Sequence, residues 1–174
     1  MRLQRNYASA IRRFFNWFSS RFKPLTIHTE TIMIDSIWEN IKKEVKKKRV
    51  LKWYIMTPAN ADYFKSEFNI KLSKKKLSDV MKKRYKWMIK NKQKLELHVH
   101  LSLMINNMNY KEQEKLIQES VNWIEKELEI EPKEFVPGWW SYNKDTLKLC
   151  KKFNLKMIHP KDYDFTHDFH WVLG

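Results

Sequence analysis

Residues 95–103 read Leu95-Glu96-Leu97-His98-Val99-His100-Leu101-Ser102-Leu103. Apolar and polar residues alternate along this stretch without a break, which is the pattern of a strand with two different faces. Side chains two apart on a strand share a face. Glu96, His98 and His100 therefore point one way, and Leu95, Leu97, Val99 and Leu101 point the other. The apolar side asks for covering helices. The polar side asks for water, a ligand or a set of partners, because polar groups are costly to bury alone.

Outward from this strand, strand-like and helix-like segments alternate. Toward the N-terminus, Leu25–Glu30 (LTIHTE) is short and β-branched and reads as a first strand. Ser36–Arg49 carries Ile37, Ile41 and Val45 on one helical face, and Leu51–Met56 (LKWYIM) reads as a second strand closed by Thr57-Pro58. Ser73 is the expected N-cap of a helix whose stripe is Leu77, Val80, Met81, Tyr85, Met88 and Ile89. Toward the C-terminus, Tyr110–Leu128 has Ile117, Val121, Ile124 and Leu128 in helical register. Glu134–Val136 opens a fourth strand, Asn143 caps a helix running to Phe153, and Leu155–Ile158 is a fifth strand.

Such alternation implies a parallel sheet with right-handed crossovers. The sequence holds only two glycines, Gly138 and Gly174, so a Gly-rich phosphate loop is excluded. The expected fold is therefore α/β, an irregular or incomplete (β/α) barrel of about five to six βα units, with chemistry at the carboxyl ends of the strands. At 174 residues the chain suits one such domain, residues 24–174. Residues 1–23 form an expected N-terminal basic amphipathic helix. There Tyr7, Ile11, Phe14, Phe15, Phe18 and Phe22 share a stripe, Arg5, Arg12 and Arg13 lie mostly off it, and Pro24 ends it. That helix packs on the domain body or makes peripheral contact with an anionic membrane surface.

The net charge is +15, and residues 65–94 hold twelve Lys/Arg against Glu67 and Asp79 alone. A field of this sign attracts polyanions. The lysines interleave with a helical apolar pattern and not with stacking aromatics, so a nucleic-acid partner is a minor alternative. The single cysteine, Cys150, cannot form an internal disulfide. No apolar run is long enough to cross a bilayer and no secretory leader is evident, so a cytoplasmic location is the expectation.

His28 and Glu30 repeat on the first strand the i, i+2 geometry of His98 and His100. If the two strands are near neighbours, these four residues converge on one mouth. Imidazoles two apart can meet one divalent cation with a third ligand from another strand. His28, His98 and His100 are the expected metal ligands, and zinc is the expected ion. Glu30 or Asp168 is the expected catalytic carboxylate, Asp168 lying in the tail with Asp162, Asp164, His167, His170 and Trp171. Trp139, Trp140 and Tyr142 form the expected wall of the site.

Residues 94–101 (KLELHVHL) resemble the histidine motif of the polysaccharide deacetylases, the NodB-homology family, in its His-x-His variants. Residues 135–143 (FVPGWWSYN), followed by TLKLCKKFNLK, are similar to that family's motif at the end of strand four and its next helix. LTIHTE resembles the acidic first motif, and DFTHDFHW at 164–171 loosely resembles an Asp-Trp motif. The resemblance spans about residues 24–171. It implies an irregular βα-barrel that removes acyl groups from amino sugars with a bound divalent metal. The chain departs from the family at His28, which stands in place of a catalytic-base aspartate, and at Val136, which stands in place of an arginine. The family's late Leu-x-His motif is missing or displaced, so a divergent, truncated member is expected. The resemblance implies a metal-dependent deacetylase acting on the amide of an N-acylated sugar, and with it a carbohydrate-like substrate for the wall of Trp139, Trp140 and Tyr142. The alternative is a catalytically degenerate relative that binds a glycan or another anionic ligand.

Overall fold

The computed structural model describes residues 25–47, 51–101 and 108–160. The expected helix at 1–23 and the tail candidates Asp162, Asp164, His167, Asp168, His170 and Trp171 lie outside the described residues. Within them five strands alternate with helices: β1 (Leu25–Thr29), α1 (Asp35–Lys46), β2 (Leu51–Ile55), α2 (Ala61–Phe68), α3 (Lys74–Lys90), β3 (Lys94–Val99), α4 (Tyr110–Leu128), β4 (Glu134–Pro137), α5 (Lys144–Lys152) and β5 (Lys156–Met157). All strand pairs are parallel and follow chain order, β1-β2-β3-β4-β5. The architecture is thus α/β with a five-stranded parallel sheet. Closure into a barrel is not seen among the described residues.

Two faces follow from the strand period. Ile27, Leu51, Trp53, Ile55, Leu95, Leu97, Val99 and Phe135 join one core with the helix stripes Ile37/Ile41/Val45, Leu77/Met81/Tyr85/Met88 and Ile117/Val121/Ile124/Leu128. Right-handed crossovers in sequential order place all connecting helices on that one face. The other face carries the alternate positions His28, Tyr54, Glu96, His98, Glu134 and Val136. Tyr54, Val136 and Ile158 make a small separate cluster there, with Trp140 against it.

The helix boundaries have local causes. The Ser73 hydroxyl accepts from Lys76 N, Asn109 and Glu112 form a capping box, and Asn143 forms another with Thr146. α2 ends on Asn69, α4 on Glu129 and α5 two residues before Asn154, each in the left-handed region.

One element goes unread in the sequence. Thr57-Pro58 does not only end a strand. The Thr57 hydroxyl caps a 3-10 turn, Pro58–Asn60, with proline at its first position, and α2 continues from it. Beneath the site, Lys52 Nζ and Tyr54 Oη both donate to Glu134 Oε2, at 2.8 and 2.5 Å. The Glu96 carboxylate, expected on the histidine face, accepts from the backbone N–H groups of Lys133 and Glu134 at 2.8 Å each. Glu96 anchors the start of β4 and takes no part in the histidine cluster.

Candidate metal centre

β1 and β3 are not adjacent; β2 lies between them. Neighbouring strands are about 4.8 Å apart, so a group shared by β1 and β3 must span roughly twice that distance. Glu30 does so because it follows the last residue of β1, where the chain leaves the sheet. The loop after it is tied down from α3, where Arg84 Nη1 donates to Ile32 O and Ile34 O and the guanidinium pairs with Asp35. From that position Glu30 Oε1 lies 3.1 Å from His100 Nε2 and 3.6 Å from His98 Nε2. One ligand atom from each of Glu30, His98 and His100 lies within 4.8 Å of the others. All three residues are buried, at 8%, 2% and 1% exposure.

The hydrogen bonds fix the orientation of this group. His98 Nδ1 is 3.0 Å from the carbonyl oxygen of Val136. A carbonyl only accepts, so Nδ1 carries the proton and a neutral His98 presents the Nε2 lone pair. That nitrogen is buried without a hydrogen-bond partner among the described residues, and the nearest charged atom is a carboxylate oxygen. Two electron-rich atoms facing each other in a buried site call for a positive charge between them. A histidine whose other nitrogen donates to a backbone carbonyl is the usual arrangement of a metal ligand. The donor set, two imidazoles and a carboxylate, suits zinc and its neighbours. The residues present therefore fit a divalent cation.

Burial pushes the Glu30 carboxyl up, but the hydrogen bond from His100 and the neighbouring His98 imidazole outweigh it and hold the group well below the usual carboxylate range. Burial pushes His100 down to about 4, against an opposing pull from Glu30. The pair is thus a carboxylate facing a neutral imidazole at neutral pH.

Two further elements close the site. Asn60, at the end of the 3-10 turn, donates from Nδ2 to His100 O at 3.1 Å. Tyr63 on α2 donates from Oη to Glu30 Oε2 at 2.9 Å and stacks on the His100 ring at 3.9 Å between centroids. Burial and the charge of Glu30 push the phenol well above its ordinary range, so it stays a donor. Just after β4, Gly138 lies so close to His100 that a Cβ there would sit 2.3–2.5 Å from three atoms of its ring. Only glycine fits. The next two residues, Trp139 and Trp140, both hold positive φ, 51° and 54°, an uncommon conformation for bulky side chains. Trp139 stands edge-on to His100 at 4.8 Å.

His28 was expected among the metal ligands and Glu30 as a catalytic carboxylate; the group whose ligand atoms lie within 4.8 Å of one another is Glu30, His98 and His100. His28 is not in the convergent group. Its ring stacks on His98 at 4.9 Å with an interplanar angle of 14°, so it lies beside a ligand ring and not at its lone pair. Of the expected substrate wall, Trp139 and Tyr142 are 42% and 36% exposed and Trp140 is half-buried, 5.9 Å from His28. Tyr142 Oη is 3.1 Å from His159 Nδ1 at the end of β5. Cys150 is buried in the core, which pushes its thiol up to about 12 and leaves it inert. Asn60 and Tyr63 are the site residues that sequence reasoning missed. The signal was present in Thr57-Pro58, a helix start as much as a strand stop.

The fold defines a class. The structure is similar to solved structures of family 4 carbohydrate esterases, the polysaccharide deacetylase fold, and the resemblance read from the sequence holds at the level of the fold. A pseudoenzyme of that family from Bacillus anthracis is 14% identical with a TM-score of 0.55, over 79% of this chain and 43% of that one. A mutant of that pseudoenzyme has restored enzymatic activity. The family 4 carbohydrate esterase of Streptomyces lividans, in complex with acetate, is 8% identical with a TM-score of 0.55, over 79% and 62% of the two chains. The peptidoglycan deacetylase PdaC of Bacillus subtilis is 13% identical with a TM-score of 0.51, over 78% and 57%. The chain therefore spans less than two thirds of each of these proteins. No protein-family model matches the sequence, and no curated protein matches it.

Proposed function

We propose that this protein is a metal-dependent deacetylase that hydrolyses the amide of an N-acylated sugar, with Glu30, His98 and His100 holding the metal ion. The observation that carries this reading is the buried Nε2 lone pair of His98, fixed by Val136 O and aimed at the Glu30 carboxylate. Bound there, a divalent cation, zinc in the first instance, supplies Lewis acidity toward an acyl oxygen and toward water. Glu30 contributes the charge that holds the cation, and Val136 O keeps His98 in the ligating tautomer. His28, stacked on His98, is the group set to take a proton from the attacking water and return it to the departing amine. Asp168 is the second candidate for that duty. Trp139 and Tyr142, exposed at the rim, offer ring faces for a sugar, with Trp140 behind them against Val136 and Ile158. The structural neighbours named as carbohydrate esterase and peptidoglycan deacetylase support a carbohydrate substrate.

The test is metal analysis of purified protein, followed by acetate release from an N-acetylated oligosaccharide. His98→Ala and His100→Ala should each abolish stoichiometric metal and activity. Unchanged metal content in both variants ends the reading.

A second reading is favoured by the closure of the site. Glu30, His98 and His100 are all at least nine-tenths buried, and Trp139 stands over His100. In that reading the protein keeps the metal centre and binds a glycan or another anionic ligand without hydrolysis. Retained zinc with glycan binding and no acetate release would select it.

A further inference from the structure

The Glu30 carboxylate has two oxygens, and they are not equivalent. Oε1 faces the Nε2 atoms of His100 and His98 at 3.1 and 3.6 Å, while Oε2 accepts the Tyr63 phenol at 2.9 Å. The same tyrosine lies flat on the His100 ring at 3.9 Å with an interplanar angle of 21°. One side chain on α2 thus touches both a carboxylate from the end of β1 and an imidazole from the end of β3. Tyr63 is itself held in place by Phe64 and Phe68 of its own helix and by Trp139, with ring centroids at 6.1, 5.7 and 5.7 Å.

We propose that Tyr63 is a positioning residue of the metal centre: its phenol ties off Glu30 Oε2, so that Glu30 offers the cation Oε1 alone, and its ring fixes His100 for the same ion. This rests on the metal reading given above. A carboxylate free at both oxygens can rotate or bind through both. One oxygen held by a hydroxyl donor leaves a single, directed ligand atom and an open side for a reactant. Orienting hydrogen bonds of this kind are commonly worth 10–100-fold in metal affinity, about as much as they contribute to activity. The ring contact and the hydroxyl contact are separable, because phenylalanine keeps the first and loses the second.

The experiment is a zinc titration against a competing chelator, with the visible spectrum of the cobalt-loaded form, on the wild-type chain, Tyr63→Phe and Tyr63→His. The wild type should bind one ion. Tyr63→Phe should bind about ten- to a hundredfold more weakly, with a cobalt spectrum altered by a carboxylate free at both oxygens. Tyr63→His, whose shorter ring leaves its N–H short of Glu30 Oε2, should lose affinity as Tyr63→Phe does. Each variant alone decides the matter if the other does not fold. Tyr63→Phe within twofold of wild type with an unchanged cobalt spectrum overturns the proposal, and so does Tyr63→His within twofold of wild type. A wild type that binds no ion at all removes the metal reading itself, which is a different failure.

Discussion

His100 is the residue on which most of the site's contacts meet. It receives Asn60 at its carbonyl, Tyr63 on its ring face, Trp139 at its edge and Gly138 against its ring atoms. Gly138→Ala should therefore destabilise the protein by about 1–3 kcal/mol, since a methyl group has no direction in which to displace the ring. Urea unfolding would read this, and a wild-type midpoint would refute it. His100 also sets an acid sensitivity. Its folded pKa of about 4 lies below its ordinary 6.5, so between those values the unfolded chain binds a proton that the folded chain refuses. Stability must then fall as pH drops from about 6.5 to 4, by on the order of 3 kcal/mol at about 1.4 kcal/mol per unit. Glu30, held below its ordinary 4.5, adds a further loss beneath that pH. In chelator-treated protein the unfolding midpoint should slope downward through this window, and His100→Asn should flatten the slope above pH 4.5. A flat wild-type profile would contradict the burial argument.

The short connection from β2 to α3 contributes more to the centre than its length suggests. Pro58–Asn60 and α2 together span residues 58–68 and deliver both Asn60 and Tyr63. The segment is anchored by Phe64, which is fully buried, and by the buried Thr57 Oγ1–Ser120 Oγ bond of 2.9 Å to α4. Asn60→Ala should cost about 1–2 kcal/mol by stranding the His100 carbonyl, and should weaken zinc binding as well. Asn143→Ala removes the capping box of α5 and should cost about 1 kcal/mol while leaving zinc affinity unchanged. The contrast between these two variants, by calorimetric unfolding and zinc titration, separates an element that serves the site from one that serves the fold. The longer elements were legible in the sequence. α4 was read at Tyr110–Leu128, the bounds it has, because Ile117, Val121, Ile124 and Leu128 hold one long periodic stripe. α2 was not legible, because eight residues show barely two turns of periodicity and its opening proline also reads as a strand breaker.

At the scale of the molecule, the candidate metal centre joins elements that the sheet keeps apart. A cation held by Glu30 and the two histidines cross-links the ends of β1 and β3 over β2. Zinc at about a hundred times its dissociation constant should then stabilise the fold by about 2.7 kcal/mol. For a chain of this size that raises the melting midpoint by roughly 5–10 °C, and a chelator should reverse it. A midpoint indifferent to both would show that the donors are not closed on an ion. The outer surface contributes little to this. Lys74–Glu119, Lys82–Glu127 and Lys86–Glu129 lace α3 to α4 on exposed faces, where salt screens them. They neutralise part of the lysine field without explaining all of it. No described helix is long and apolar enough to cross a membrane.

What the sequence alone determined is what repeats locally: the order of strands and helices, the caps at Ser73 and Asn143, and the shared face of His98 and His100. Each depends on neighbours a few residues apart, so periodicity and capping chemistry suffice. What only the tertiary structure decided is which carboxylate and which imidazoles meet. His28 and Glu30 are equivalent as an i, i+2 pair. The register of β1 on β2 on β3 and the exit of the chain after Thr29 carry Glu30 into the group and leave His28 stacked beside it. Asn60 and Tyr63 reach the same point from a crossover connection. Convergence of this sort is a property of strand order and packing in three dimensions, and no spacing along the chain encodes it.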